Sequence, residues 1–390
     1  MSQAPARQRI LVITRNLPPL RGGMERLNLH MIAELAKEFS VSVVGISGCR
    51  GVLPEEVATH EISAKPLWRF FLGALFCGIF VARRFRPAVV LAGSGLTAPF
   101  AWFAARSSGA RLAIYVHGLD LVAGHPIYRH GWLPFIRRAN LCIANSSNTA
   151  RLATEMGVPG ERIVIVHPGV ELPPAPSGPN PFRHRFDLGD RPLMLSVGRL
   201  VARKGLLEFV ENALARIIAA CPEACLVIIG EENPELLNGS SAGLAERIRR
   251  SAEARGLGSN VRFLGTQDDA VLGDAFRAAD VHVFPGREVA DDVEGFGMVA
   301  VEAAAHGLPT VAFAVGGIPD AVENGISGTL VPAGDHAGFV DAVVAALEHR
   351  AGDDMRSTAV QFAGRFRWEL FGEKVRRALG ALTTGPNQVP

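Results

Sequence analysis

Glu171-Leu-Pro-Pro-Ala-Pro-Ser-Gly-Pro-Asn-Pro181 places five prolines in eleven residues. Proline lacks the amide donor that a helix or a central strand requires, so this stretch can be neither and reads as a linker. The chain on either side follows one grammar. Before the linker, strand-like apolar runs occur at Ile10–Ile13, Val41–Ile46, Ala88–Leu91, Leu112–Val116, Leu141–Ala144 and Ile163–Val166. After it they resume at Leu193–Val197, Cys225–Ile229, Val261–Leu264, Val281–Phe284 and Thr310–Ala314. Between them lie helical patterns such as Met24–Phe39, with Leu27, Met31, Leu35 and Phe39 in register, and Ser147–Met156, preceded by the cap candidates Asn145 and Ser146. Strands alternating with helices imply a parallel sheet covered on both faces, so the expected fold is α/β with two doubly wound, Rossmann-like domains. The expected boundary puts residues 1–183 in the first domain and 184–390 in the second.

The chain has 390 residues, 48% of them hydrophobic and 20% charged, which suits two domains with their own cores. No secretory signal pattern opens it, and a cytoplasmic location is expected. The apolar run Phe70–Ala82 is 13 residues, short of the roughly 20 needed to span a bilayer, and reads as a buried or interfacial helix. Cys49, Cys77, Cys142, Cys221 and Cys225 show no paired spacing and are expected to act as small core hydrophobes.

The net charge of +2 conceals an asymmetry. Residues 1–183 hold 20 Lys and Arg against 10 Asp and Glu, and residues 184–390 hold 20 against 28. From Ile62 to Leu119 there is no acidic residue, while Lys65, Arg69, Arg83, Arg84, Arg86, Arg106 and Arg111 stand among Trp68, Phe70, Phe71, Trp102 and Phe103. This stretch is either a solvated basic face over a core helix or a surface for anionic lipid or a phosphorylated acceptor.

In doubly wound sheets, ligands bind beyond the carboxyl ends of the strands. Two loops there carry chemistry. Gly198-Arg199-Leu-Val-Ala-Arg203-Lys204-Gly205 sets cations where a strand yields to a helix, a place already suited to an anion such as a diphosphate. As a bare pattern it also reads as a solvated basic loop. Glu294-Gly295-Phe296-Gly297 leads into the helix Met298-Val299-Ala-Val-Glu302. The glycines allow close backbone approach, the amides of Phe296 to Val299 face a helix mouth, and Glu294 and Glu302 lie about two turns apart on one side. Carboxylates so spaced suit the vicinal hydroxyls of a sugar and a ribose. The plainer reading makes Glu294 a helix cap and Glu302 a solvated residue.

The ordered set of these motifs resembles the retaining family 4 glycosyltransferases of the GT-B fold. It comprises Gly22-Gly23-Met24-Glu25, His117-Gly118, Asn145-Ser-Ser, His167-Pro-Gly-Val, the Arg199/Lys204 loop, Phe263-Leu-Gly265, the Glu294/Glu302 helix and Gly316-Gly317-Ile-Pro-Asp320. Asp292-Val-Glu-Gly-Phe-Gly297 is most similar to the phosphatidylinositol mannosyltransferases within that family. The resemblance implies two domains facing a cleft, an acceptor-side first domain and a nucleotide-sugar-binding second one. It implies that Arg199 and Lys204 clamp the diphosphate and that Glu302 holds the ribose. Glu294 with the Gly295 and Phe296 amides would hold the donor sugar. Gly230, Gly265 and Thr266 would line the base, Gly22 and Gly23 would close over donor phosphate, and His117 would contact the transferred sugar.

The expected activity is metal-independent, retaining transfer of a hexose, mannose before others. The donor would be a nucleotide diphosphate sugar, GDP-mannose before a UDP-sugar, and the acceptor a saccharide or a lipid-linked one. No cofactor, metal or nucleic-acid partner is expected; an anionic membrane at the inner face is. The alternatives are a sugar-nucleotide epimerase or hydrolase of the same fold, and a non-catalytic sugar-nucleotide-binding protein at the membrane surface. Dehydrogenase and P-loop motifs do not occur, and no Asp-x-Asp supplies a metal-bound donor site. Gly239-Ser-Ser-Ala-Gly243 matches a nucleophile elbow but follows a turn instead of a strand.

Overall fold

The computed structural model describes residues 7–174, 178–232, 243–349 and 352–384. Of the elbow-like motif, residues 239–242 lie outside them. The chain forms two units, Met1–Gly169 with Trp368–Pro390, and Val170–Arg367.

The first unit is a seven-stranded parallel sheet. Its strands are β1 Arg9–Ile13, β2 Ser40–Ile46, β3 Ala58–Ile62, β4 Val89–Ala92, β5 Arg111–Val116, β6 Leu141–Ala144 and β7 Ile163–Ile165, in the order β3-β2-β1-β4-β5-β6-β7. The second holds six parallel strands: β8 Leu193–Val197, β9 Cys225–Ile229, β10 Val261–Gly265, β11 Val281–Phe284, β12 Thr310–Phe313 and β13 Gly328–Val331, ordered β10-β9-β8-β11-β12-β13. Both orders reverse direction between the first and fourth strands, as in a Rossmann sheet, and that reversal opens a crevice at the strand ends. The inner strands are largely apolar because helices cover both faces; Ile10 to Ile13 and Cys225 to Ile228 are fully buried. The sheets therefore bear out the doubly wound expectation for each unit.

The division of the chain differs from the boundary expected between 183 and 184. Phe182 and Leu188 are buried in the core of the second unit, which thus begins before them. The helix Trp368–Thr384 belongs to the first unit, because it buries Trp368, Phe371, Val375 and Leu379 there. Trp368 stacks on His30, ring centroids 4.0 Å apart, and Arg376 pairs with Glu34 at 2.6 Å and Glu38 at 2.7 Å. Those three partners lie on or just after α1 (Gly23–Ala36).

Ser146 caps the helix Ser147–Glu155 by accepting from the Thr149 amide. Cys49, Cys142 and Cys225 are buried and Cys77 and Cys221 half-buried, all with free thiols. Burial, with a small contribution from Asp120, pushes the Cys142 thiol up to about 12, so it is inert at neutral pH. The run Phe70–Ala82 falls inside α2 (Leu67–Phe85). No helix among the described residues is long and apolar enough to cross a membrane.

Candidate active site

In the second unit the loops after β8, β9 and β10 are laced together by their backbones. Gly198 donates to the Ile229 carbonyl and Gly230 to the Gly265 carbonyl, each at 2.9 Å, and Leu200 donates to Glu231 at 3.0 Å. Gly230 has φ +140°, and a Cβ there would overlap the Gly198 carbonyl oxygen, so only glycine permits this approach. The Glu231 carboxylate accepts from the Thr266 amide at 3.2 Å. Gly198, Gly230, Gly265 and Thr266 thus converge at one end of the sheet.

Across the reversal between β8 and β11, the loop Ala202–Gly205 meets the loop that precedes the helix Met298–Ala305. Lys204 Nζ lies 2.9 Å from Glu294 Oε2. Arg203 donates from Nε to the same oxygen at 3.3 Å and from Nη1 to Asp292 at 3.1 Å. The backbone follows, with the Arg287 amide donating to the Arg203 carbonyl at 2.9 Å and Gly317 donating to the Glu294 carbonyl at 2.8 Å. The Lys204 ammonium also sits 4.3 Å from the centre of the Phe284 ring, a favourable cation–π distance.

All four charged side chains are less than one-fifth exposed. Burial alone would raise the Glu294 pKa, but Lys204 and Arg203 outweigh it and bring the carboxyl down to about 2. Burial lowers the pKa of Lys204; Glu294 opposes this, while Arg203 and Arg199 add to it. Arg203 and Lys204 are matched in charge by Glu294 and Asp292, and Arg199 adds a third cation to the same loop. Arg199 has no hydrogen bond or ion pair among the described residues and is half-buried.

Gly297, at φ +95°, is the N-cap of the helix Met298–Ala305 and offers its first amides no side-chain cap. The reading of Glu294 as the helix cap fails, since its carboxylate is committed to Lys204 and Arg203. Phe296 is buried, and Met298 and Glu302 are half-buried, Glu302 lying along the helix from that mouth. Arg203 and Asp292 are structural partners to which the motifs gave no role. The signal for them was present, because a basic and an acidic loop each follow a strand, but only the neighbouring of β8 and β11 pairs them.

His282, buried on β11, approaches Thr310 Oγ1 at 3.0 Å through Nδ1. Burial, helped by the Lys204 charge, brings its imidazole down to about 3 from an ordinary 6.5. The unfolded chain binds a proton below 6.5 that the folded chain refuses until about pH 3. His282 therefore favours the fold fully above 6.5, and this contribution is lost as pH falls through that window. The loss should reach about 2 kcal/mol by pH 5. Replacing His282 with Gln should lower the melting temperature at pH 7 yet flatten its decline toward pH 5. Parallel declines in parent and variant would show that this buried imidazole is not what titrates.

The first unit presents a second polar cluster at its strand ends. His117, just after β5, donates its amide to Asp120 at 2.9 Å, and its Nε2 lies 3.0 Å from the Gly93 carbonyl. A carbonyl only accepts, so Nε2 carries the proton in that contact. Gly22 precedes α1 beside Glu25, which accepts from Asn16 at 2.9 Å; Gly23 is the first residue of α1. Around them Asn28 Oδ1, Ser94 Oγ, Tyr128 OH and Asn145 Oδ1 are buried without a hydrogen-bond partner among the described residues. Unspent polar groups at a crevice suit a ligand bearing hydroxyls. The motifs included Asn145, as a helix-cap candidate and within Asn145-Ser-Ser, without a ligand role, and did not mark Asn28, Ser94 or Tyr128. No group of three or more His, Cys, Asp or Glu among the described residues is placed to hold a metal.

Two such parallel, doubly wound sheets are the architecture of the GT-B fold. Anabaena HepE, solved in complex with UDP, superposes with a TM-score of 0.78 at 18% identity, covering 96% of this chain and all of that one. An Escherichia coli trehalose-6-phosphate structure with bound UDP-2-fluoro glucose gives a TM-score of 0.72 at 16% identity, over 98% of this chain and 100% of that one. The family descriptions "Glycosyltransferase Family 4" and "Glycosyl transferases group 1" match residues 21–172 and 191–349. The chain belongs to the family 4 glycosyltransferases. It is 29% identical to the GDP-mannose-dependent alpha-(1-6)-phosphatidylinositol monomannoside mannosyltransferase of Mycolicibacterium smegmatis, over 93% of this chain and 94% of that one. To the D-inositol 3-phosphate glycosyltransferase of Mycobacterium marinum it is 31% identical over 67% of its length, spanning about half (55%) of that protein.

Proposed function

We propose that this glycosyltransferase moves a hexose, mannose first, from GDP-mannose to a saccharide or lipid-linked acceptor, with retention and without a metal. The observation that carries the proposal is the loop holding Arg199, Arg203 and Lys204 against Glu294, beside a helix mouth that Gly297 leaves without a side-chain cap. Arg199 and Lys204 take the diphosphate, Glu302 the ribose, and Glu294 with the Gly295 and Phe296 amides the donor sugar. Gly230, Gly265 and Thr266 line the base. From the first unit, Gly22, Gly23 and His117 are assigned to donor phosphate and the transferred sugar on the strength of the family resemblance.

As the glycosidic bond to the diphosphate breaks, negative charge grows on the leaving oxygen. Fixed cations and amides in a poorly hydrated site stabilise that charge with little reorganisation. Retention is served when the acceptor hydroxyl approaches the face that the diphosphate leaves, the departing phosphate taking its proton. The GDP-mannose dependence named for the Mycolicibacterium smegmatis relative supports the choice of donor. A lipid-linked acceptor would place the protein peripherally on an anionic, inner membrane surface.

A ligand that binds only the native state raises the melting temperature. GDP-mannose should do so more than UDP-glucose or UDP-galactose, and transfer from it should persist in excess EDTA. Stabilisation by a UDP-sugar alone would reassign the base, and activity abolished by EDTA but restored by Mg2+ would remove the metal-free mechanism.

A further inference from the structure

The segment that carries Glu294 runs from Pro285, just after β11, to Gly297, just before the helix Met298–Ala305. It doubles back on itself. The Asp292 amide donates to the Val289 carbonyl at 3.2 Å, and between the two Asp291 adopts a φ of +59°. Aspartate is one of the few side-chain-bearing residues that take this left-handed conformation readily. The reversal divides the loop into an outgoing limb at Arg287 and a returning limb from Asp292 to Glu294.

Arg203 holds both limbs. Its carbonyl accepts from the Arg287 amide at 2.9 Å. Its guanidinium reaches the returning limb twice, from Nη1 to the Asp292 carboxylate oxygens at 3.2 and 3.1 Å and from Nε to Glu294 Oε2 at 3.3 Å. A planar fork can meet two carboxylates at fixed angles, which a single ammonium cannot. The backbone behind Glu294 is fixed as well: Gly317 donates to its carbonyl, and a Cβ on Gly316 would stand 2.6 Å from that same oxygen. Arg203 and, at 2.9 Å, Lys204 both contact Oε2, so the carboxylate is held in one orientation and Oε1 is the oxygen left to meet a hydroxyl. Arg203 itself is poorly placed to take a diphosphate. Its Nε and Nη1 already serve carboxylates, whereas Arg199, on the same loop, has no such bond among the described residues.

We propose that Arg203 is a positioning residue for sugar transfer: it clips the two limbs of the Pro285–Gly297 loop together so that Glu294 presents Oε1 to the donor sugar, and it leaves the diphosphate to Arg199 and Lys204. This rests on the assignment of Glu294 to the donor sugar made above, and it gives the carboxylate a reason to point one way before the donor arrives. Groups set in place beforehand reorganise little as the reaction proceeds, and a displacement of about 1 Å can cost a hundredfold in rate.

Calorimetric titration of the full chain with GDP and with GDP-mannose separates a hold on the sugar from one on the diphosphate; UDP and UDP-glucose replace them if the parent takes that base. Arg203→Gln should weaken GDP-mannose about ten- to a hundredfold, the cost of one misdirected bond to a charged group, and leave GDP within about threefold. Arg203→Lys should resemble Arg203→Gln, because it keeps the charge and loses the fork. Asp292→Asn leaves Arg203 in place and should shift the ratio of the two affinities the same way by a smaller factor, which tests the clip even if Arg203→Gln unfolds. The decisive measurement is a cycle with Glu294→Gln: once that carboxylate is gone, Arg203→Gln should cost no further affinity for GDP-mannose. Arg203→Gln weakening GDP as much as GDP-mannose would make Arg203 a diphosphate ligand and overturn the proposal. So would Arg203→Lys behaving like the parent, Asp292→Asn leaving the ratio unchanged, or the two substitutions of the cycle adding in full. Failure of the underlying reading would look different: Glu294→Gln alone would then bind GDP-mannose like the parent, removing the sugar from Glu294 and this inference with it.

Discussion

Lys204→Ala is expected to lower sugar transfer about a hundred- to a thousandfold, the usual cost of losing one donor to developing charge. Arg199→Ala should cost a similar factor, but the two should part in stability. Lys204 is buried against Glu294, so its removal leaves that carboxylate sharing only Arg203, and the melting temperature should fall. Arg199 has no hydrogen bond or ion pair to lose among the described residues, and its variant should melt like the parent. Steady-state kinetics on the folded variants, with melting curves beside them, read both effects. Rates within a few-fold of the parent would take these residues out of the diphosphate site. A fall in melting temperature for Arg199→Ala as large as that for Lys204→Ala would show that they share a structural role.

The inner strands were legible because a strand covered on both faces must be apolar at nearly every position, as Leu141–Ala144 and Cys225–Ile229 are. β3 and β13 were not, and both are edge strands. β3 reads Ala-Thr-His-Glu-Ile with every side chain exposed or half-buried, so its composition carries little of the apolar signal. The described residues of the linker, 171–174 and 178–181, are free of helix and strand, but the unit boundary lies just before them. The apolar face of Trp368–Thr384 shows that this helix must pack against something, not which sheet it covers. α2 posed the opposite difficulty: a run apolar on all sides has no polar face to orient it, so Phe70 and Phe76 look alike in sequence although only the first is buried. At the candidate site, the strand-end rule singled out both loops. Arg203, however, bonds residues 89 and 91 positions away, and that contact arises from strand order instead of local pattern.

The close approach of the loops after β8 and β9 sets up the second large effect. Gly230→Ala would place a methyl group on the Gly198 carbonyl oxygen, and it would do so at a φ of +140°, which side-chain-bearing residues rarely adopt. Neither strain can be relieved alone. Gly230 is held by its bond to Gly265, and Gly198 by its bond to Ile229, so the methyl group must push the two loops apart. The loop so displaced carries Arg199, Arg203 and Lys204, hence transfer should fall by more than a hundredfold while stability drops by about 3 kcal/mol. Gly364→Ala supplies the comparison in the same unit. Gly364 has helical φ of −56° and nothing within 4 Å of its would-be Cβ, so alanine should be neutral or add about 0.4–1 kcal/mol. Melting curves and transfer rates on both variants separate a steric demand at Gly230 from a general intolerance of the unit. If Gly230→Ala melts and transfers like Gly364→Ala, the contact between these two loops is not what holds the cations in place.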